Sequence, residues 1–189
     1  MRAFVAVEMS QPIRDDVGRL IERLRRAGGP VKWVAPANLH LTLKFLGEIG
    51  EDAVPRAIAI LRECIQGVAP FALSVRGAGA FPTPARPRVL FVDAHDEPPC
   101  LANIAKRLDK AMTAIGVPRE KRKFRNHVTI GRVRKPSTAI ADMADELGKA
   151  TERSFGTMTV EEVVLMKSDL RPDGPVYTPV ERVALKTSA

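Results

Sequence analysis

His40-Leu41-Thr42-Leu43 and His127-Val128-Thr129-Ile130 share one order of residue types: histidine, aliphatic, threonine, aliphatic. They stand 87 residues apart in a chain of 189, close to half its length. Each lies in a β-like run, where successive side chains point to opposite faces. His40 and Thr42 therefore share one face of a strand, with Leu39, Leu41 and Leu43 on the other. The same alternation groups His127 with Thr129 and sets Val128 and Ile130 behind them. Two strands are thus predicted, each with an imidazole and a hydroxyl on a polar face backed by core.

Outward from these strands the pattern alternates between periods of two and 3.6, which places the chain in the mixed α and β classes. Arg2 to Glu8 is β-rich. Ser10 and Pro12 open a helix whose inward residues are Ile13, Val17, Leu20, Ile21 and Leu24, stopped by Gly28 and Gly29. Strands follow at Val31 to Val34 and Leu39 to Leu46, a turn at Gly47 to Gly50, and a helix at about Asp52 to Gln66. Phe71, Leu73 and Val75 alternate with polar or small residues, predicting a half-buried strand that ends in a turn or bulge at Gly77-Ala78-Gly79. Pro82, Pro84 and Pro87 exclude a helix from the next segment. Val89 to Val92 reads as a strand, His95 to Pro99 as a polar loop, and Pro99 to Ile115 as a helix. After a basic segment the pattern gives a strand at His127 to Val133, a helix at about Thr138 to Lys149, and strands near Thr157 to Val160, Glu162 to Ser168 and Val176 to Ala184. No long linker interrupts the chain, so residues 1–189 are expected to form one domain.

The composition, 45% hydrophobic and 28% charged, suits a folded soluble domain and excludes a disordered or collagen-like chain. Apolar runs are broken by charge far short of the roughly 20 residues that cross a bilayer, so no membrane partner is expected. The start, Met1-Arg2-Ala3-Phe4-Val5-Ala6-Val7-Glu8, meets an acid early and lacks a small-residue cleavage pattern, which predicts a cytoplasmic protein. Cys64 and Cys100 are the only cysteines, too few for a disulfide framework or thiolate metal site. Thirty Lys and Arg against 22 Asp and Glu leave +8, which favours an anionic partner such as nucleic acid.

Two imidazoles and two hydroxyls suit phosphodiester cleavage. With an ordinary pKa near 6.5, a neutral imidazole can take a proton from attacking water while a protonated one gives a proton to the leaving oxygen. No metal or other cofactor is then required. Thr42 and Thr129 can donate to non-bridging phosphate oxygens, and a guanidinium can neutralise developing charge. Arg132 is a candidate for that role. Strict alternation would turn it away from His127, so a bulge is needed, and Gly131 is a residue type that marks one.

The stretch Lys32-Trp33-Val34-Ala35-Pro36-Ala37-Asn38-Leu39-His40-Leu41-Thr42-Leu43-Lys44-Phe45-Leu46-Gly47-Glu48 resembles the first signature of the two-histidine (2H) phosphoesterases, and Phe124-Arg125-Asn126-His127-Val128-Thr129-Ile130-Gly131-Arg132 resembles the second. Within that superfamily the chain is most similar to the bacterial and archaeal RNA 2′,3′-cyclic phosphodiesterases, also called 2′-5′ RNA ligases. The similarity continues in Arg2-Ala3-Phe4-Val5-Ala6, Gly79-Ala80-Phe81-Pro82, Arg86-Pro87-Arg88-Val89, Leu165-Met166-Lys167-Ser168-Asp169-Leu170 and Gly174-Pro175-Val176-Tyr177, and so spans essentially the whole chain. The resemblance implies an α+β fold of two pseudo-symmetric lobes, each an antiparallel β-sheet with helices outside, enclosing a central cleft. It implies hydrolysis of a 2′,3′-cyclic phosphate to a 2′-phosphomonoester, with His40 as proton donor and His127 as proton acceptor. The family commonly has proline before the second histidine. Asn126 departs from that and could donate to substrate.

Other residues carry weaker expectations. Phe45, Phe124 and Tyr177 could stack on a base, although phenylalanines in strands usually belong to the core. Arg119 to Arg125 holds five basic residues in seven, and it is either a solvated face or, through Arg125 and its neighbours, a contact for the phosphate backbone. His95 lacks a threonine partner and is expected to be exposed and inert. Competing functions are a cyclic phosphodiesterase for a small nucleotide, of the ADP-ribose cyclic phosphate type, and an RNA-end-binding module without turnover. Ligation to a 2′-5′ linkage is the reverse reaction on the same site. The expected partner is an RNA with a 2′,3′-cyclic phosphate end or a small cyclic nucleotide, bound by a monomer.

Overall fold

The computed structural model describes residues 1–135, 140–172 and 174–187. Among them are nine strands: β1 (Arg2–Glu8), β2 (Val31–Trp33), β3 (His40–Glu48), β4 (Phe71–Phe81), β5 (Val89–His95), β6 (His127–Val133), β7 (Ser154–Val160), β8 (Glu162–Arg171) and β9 (Gly174–Ala184). The four α-helices are α1 (Gln11–Ala27), α2 (Val54–Ile65), α3 (Cys100–Ala111) and α4 (Ile140–Gly148). The expected helix start at Thr138 lies outside the described residues.

All strand pairs are antiparallel, in the order β7-β4-β5-β6-β3-β1-β8-β9, with β2 pairing β6 off this path. The sheet is curled and falls into two four-stranded halves, β3-β1-β8-β9 and β6-β5-β4-β7. Their seam is the single register pair Leu41↔Val128, so the two His-x-Thr-x strands are neighbours running in opposite directions. That confirms the α+β, two-lobed expectation and adds where the lobes meet.

The helices form the outer layer because one stripe of each is apolar. In α1 the buried residues are Ile13, Val17, Leu20, Ile21 and Leu24, at helical spacing. The layer is crossed between the halves. α1, from the first half of the chain, packs on α4 and on β7 of the second sheet, while α3 packs on α2 and on β3 of the first. One continuous core beneath the helices takes in Leu41, Leu43, Val128 and Ile130.

Several local expectations shift. The strand from Phe71 does not end at Gly77-Ala78-Gly79. It continues to Phe81 through a bulge between Val75 and Ala78. Gly77 has φ +86°, and a Cβ there would stand 2.8 Å from the Thr151 carbonyl oxygen, so the bulge requires glycine. β5 runs three residues beyond Val92, which makes His95 its exposed last residue and not part of a loop.

Candidate active site

The strand registers decide which side chains share the open face. In β3, Thr42 pairs with Ala6 and Lys44 with Val5, leaving Leu43 as an extra, bulged residue. In β6, Thr129 pairs with Phe91 and Gly131 with Leu90, leaving Ile130 bulged in the same way. Each motif therefore breaks alternation just after its threonine. The fifth residue after each histidine returns to the histidine's face: Phe45 in β3 and Arg132 in β6. This is the bulge that Arg132 needed. Gly131 permits it, since a Cβ there would come 2.8 Å from Val31 Cγ1 and 2.9 Å from Trp33 Cε3.

The two histidines are held alike. His40 Nδ1 lies 2.7 Å from the Asn38 carbonyl oxygen, and His127 Nδ1 lies 2.8 Å from that of Arg125. A carbonyl only accepts, so Nδ1 carries the hydrogen in both rings and Nε2 is the nitrogen left for chemistry. Asn38 is itself anchored by its Nδ2 donating to the Pro175 carbonyl at 3.0 Å.

Aromatic rings wall each imidazole. Phe4 stacks on His40 at 4.8 Å between centroids, and Tyr177 meets it edge-on at 5.1 Å. Phe81 and Phe91, stacked at 4.2 Å, meet His127 edge-on at 5.3 and 5.9 Å. Burial lowers both histidine pKa values below the usual 6.5. A carboxylate directly opposite each histidine works against that fall: Glu8 pairs with His40 and Asp93 with His127. Glu8 is shared with Arg14 at 3.3 Å and Arg182 at 2.7 Å, and Asp93 faces Arg125 at 3.6 Å.

Of the residues singled out from sequence, His40, His127, Thr42, Thr129 and Arg132 come to one face. Arg132 is exposed, and its charge acts weakly to lower the pKa of both His127 and Tyr177. Phe45 is 54% exposed, 6.3 Å from the Phe4 ring, and open to a base. Tyr177 lies beside His40, with burial raising its pKa. Arg125 is spread over the Phe81 and Phe91 rings at 4.8 and 5.1 Å.

Phe124 is half-buried, with its ring packed against the main core. Asn126 Nδ2 donates to Asp96 Oδ1 at 2.7 Å, and Asp96 Oδ2 accepts from the Leu101 amide at the start of α3, so this asparagine ties down a loop. The basic segment also divides: Arg119 is taken by Asp109, and only Arg125 reaches the aromatic wall of His127. Phe4, Phe81, Phe91, Glu8 and Asp93 were not legible as site residues. Phe4 and Phe81 fall within stretches that resemble the family, but the place of all five beside a histidine follows only from how neighbouring strands are paired.

A curled antiparallel sheet that brings two His-x-Thr-x strands together at its seam defines the class of two-histidine phosphoesterases. The model of the family "LigT like Phosphoesterase" matches residues 7–91 and 92–177, one copy for each half. The chain belongs to this LigT-like phosphoesterase family. It is 38% identical over 181 residues to the RNA 2′,3′-cyclic phosphodiesterase of Methanothermobacter thermautotrophicus, covering 96% of this chain and 97% of that one. A crystal structure from Thermus thermophilus superposes with a TM-score of 0.80 at 31% identity, covering all of both chains. Escherichia coli LigT complexed with 3′-AMP superposes with a TM-score of 0.76 at 25% identity, covering 98% of each.

Proposed function

We propose that this protein is an RNA 2′,3′-cyclic phosphodiesterase that opens a terminal 2′,3′-cyclic phosphate to a 2′-phosphomonoester by histidine acid–base catalysis. The observation that carries this is the matched pair of imidazoles, each with Nδ1–H fixed on a backbone carbonyl and Nε2 left free. In the proposed step, His127 Nε2 takes a proton from water as the water oxygen bonds to phosphorus. The bond from phosphorus to O3′ breaks, and His40 Nε2 delivers its proton to O3′. The 2′ oxygen keeps the phosphate. Thr42 and Thr129 donate to the non-bridging oxygens, and Arg132 offsets the charge that grows on them. In this reading Phe45 and Tyr177 stack on the terminal base and Arg125 contacts the chain, which the exposure of Phe45 supports. The 38% identity to a relative of that activity over nearly the whole length supports the same substrate class. Because one chain supplies both histidines, the site needs no second copy, which supports a monomeric enzyme and a single working domain.

The test is incubation, with chelator present, with an oligoribonucleotide ending in a 2′,3′-cyclic phosphate, followed by identification of the product. A 2′-phosphate end is expected, with His40→Ala and His127→Ala each lowering the rate by about 100-fold or more. A 3′-phosphate product refutes the assigned roles. Tight binding of the same RNA with no product favours a binding module instead.

A further inference from the structure

Lys32 of β2 is directly opposite Arg132 of β6. Opposed residues in an antiparallel pair share a face, and two cations placed so repel each other. The face is the open one. Val31, Trp33 and Val133 pack toward the core, and it is Val31 and Trp33 that a Cβ on Gly131 would strike, so the alternate residues Lys32 and Arg132 point the other way. Both are exposed. Among the described residues neither forms an ion pair, whereas Arg14, Arg119, Arg125, Arg153 and Arg182 each face a carboxylate.

The topology sets this pair at the rim of the cleft. One edge of β6 pairs with β5, while its other edge pairs with β3 at Val128 and then with β2 at Gly131, Arg132 and Val133. With Ile130 bulged, Arg132 stands two pleat steps beyond Thr129, roughly 7 Å, and Lys32 lies one strand spacing, about 5 Å, to the side. Arg132 and Lys32 therefore stand side by side at one level along β6, just beyond the histidine and threonine positions, with Lys32 on the edge of β6 that β3 also pairs. Two like charges held together without a carboxylate are relieved by an anion between them. A polynucleotide brings such an anion at a fixed distance from its terminal phosphate.

Resting on the cyclic phosphodiesterase assignment, we propose that Lys32, backed by Arg132, binds the phosphate on the 5′ side of the terminal nucleotide, so that the enzyme reads an RNA chain and not an isolated cyclic nucleotide. The guanidinium has five donors, enough to serve both this phosphate and the reacting one.

The experiment compares cytidine 2′,3′-cyclic phosphate with the same nucleotide carrying a 5′-phosphate, in wild type, Lys32→Ala and Lys32→Arg. Wild type is expected to favour the 5′-phosphorylated substrate by about 10-fold or more in kcat/KM, the scale of one charge-assisted hydrogen bond. Lys32→Ala should erase that preference through the phosphorylated substrate alone, and Lys32→Arg should restore most of it. The salt slope of kcat/KM for the phosphorylated substrate should also fall by about one charge in Lys32→Ala. A preference that survives in Lys32→Ala overturns the proposal, as does an equal loss on both substrates. Wild-type turnover of both without preference refutes this site alone, while turnover of neither refutes the phosphodiesterase reading with it.

Discussion

Lys44→Met should destabilise the protein by up to about 2 kcal/mol at pH 7, and the deficit should shrink in acid. Lys44 is the bulge neighbour in the first motif, and its side chain is 1% exposed. Its Nζ donates to Asp109 Oδ1 and to the Pro118 carbonyl, both at 2.8 Å, and lies 3.7 Å from Glu120. Methionine keeps the packing of the stem and removes the ammonium. Pro118 is an exposed residue, so its carbonyl can turn to water, and losing the ammonium donor there costs about 1 kcal/mol, the low end for an unmade bond. Burial pushes the Asp109 carboxyl up, but Lys44, the Glu120 amide and Arg119 together hold it down to about 2 from 3.8. That difference is at most about 2.4 kcal/mol, and sharing among three partners with partial solvent screening leaves roughly 1 kcal/mol to Lys44. Loss of the ammonium also removes its own desolvation cost, which makes about 2 kcal/mol the upper bound of the sum. Asp109 has a depressed pKa in the fold, so its stabilisation is complete above about pH 4 and is lost as pH falls toward 2. Urea unfolding, followed by the fluorescence of Trp33, the only tryptophan, measures the gap at pH 7, 5 and 3. A gap under about 0.5 kcal/mol at pH 7, or one unchanged between pH 5 and 3, refutes the reasoning.

Three further outcomes are expected. Because burial lowers both histidines, kcat/KM should peak below pH 6.5, with the optimum for kcat shifted upward when bound phosphate raises the donor; a kcat/KM optimum above pH 7 contradicts this. The same lowering means the unfolded chain binds more protons near pH 6, so the histidines' contribution to stability is present above about 6.5 and lost as pH falls through their folded values. His40→Phe should therefore flatten the slope of unfolding free energy between pH 7 and 5, as titrated by urea melts. Gly79→Ala would place a Cβ 2.7 Å from Phe91 Cζ and push that ring against His127, so the rate should drop at least several-fold while stability falls by the roughly 1–3 kcal/mol typical of overpacking.

Local chemistry carried much of this structure in the open. The spacing of Ile13, Val17, Leu20, Ile21 and Leu24 is enough to define α1, and the alternation around His40 and His127 is enough to define β3 and β6 with their polar faces. What a period cannot convey is which strands meet. That β3 lies against β6, with Leu41 opposite Val128, depends on contacts far apart in the chain, and so does the placement of Glu8 and Asp93 across from the histidines. Arg132 marks the boundary: the need for a bulge was visible, but its position at Ile130, and its twin at Leu43, follow from register. The partners of Asn126 and Phe124, Asp96 and the core, are likewise contacts that linear distance does not reveal.

The same crossed architecture governs the birth of the molecule. β1 leaves the ribosome long before its neighbour across Ala3, Lys167 in β8. At ordinary synthesis speeds that partner follows on the order of ten seconds or more later. Until then Phe4 and Ala6 lack Val164 and Met166, and α1 lacks the α4 surface it packs on. The nascent chain must carry an open strand edge and an uncovered helix until β8 and α4 emerge, so neither half on its own has a finished sheet to fold into.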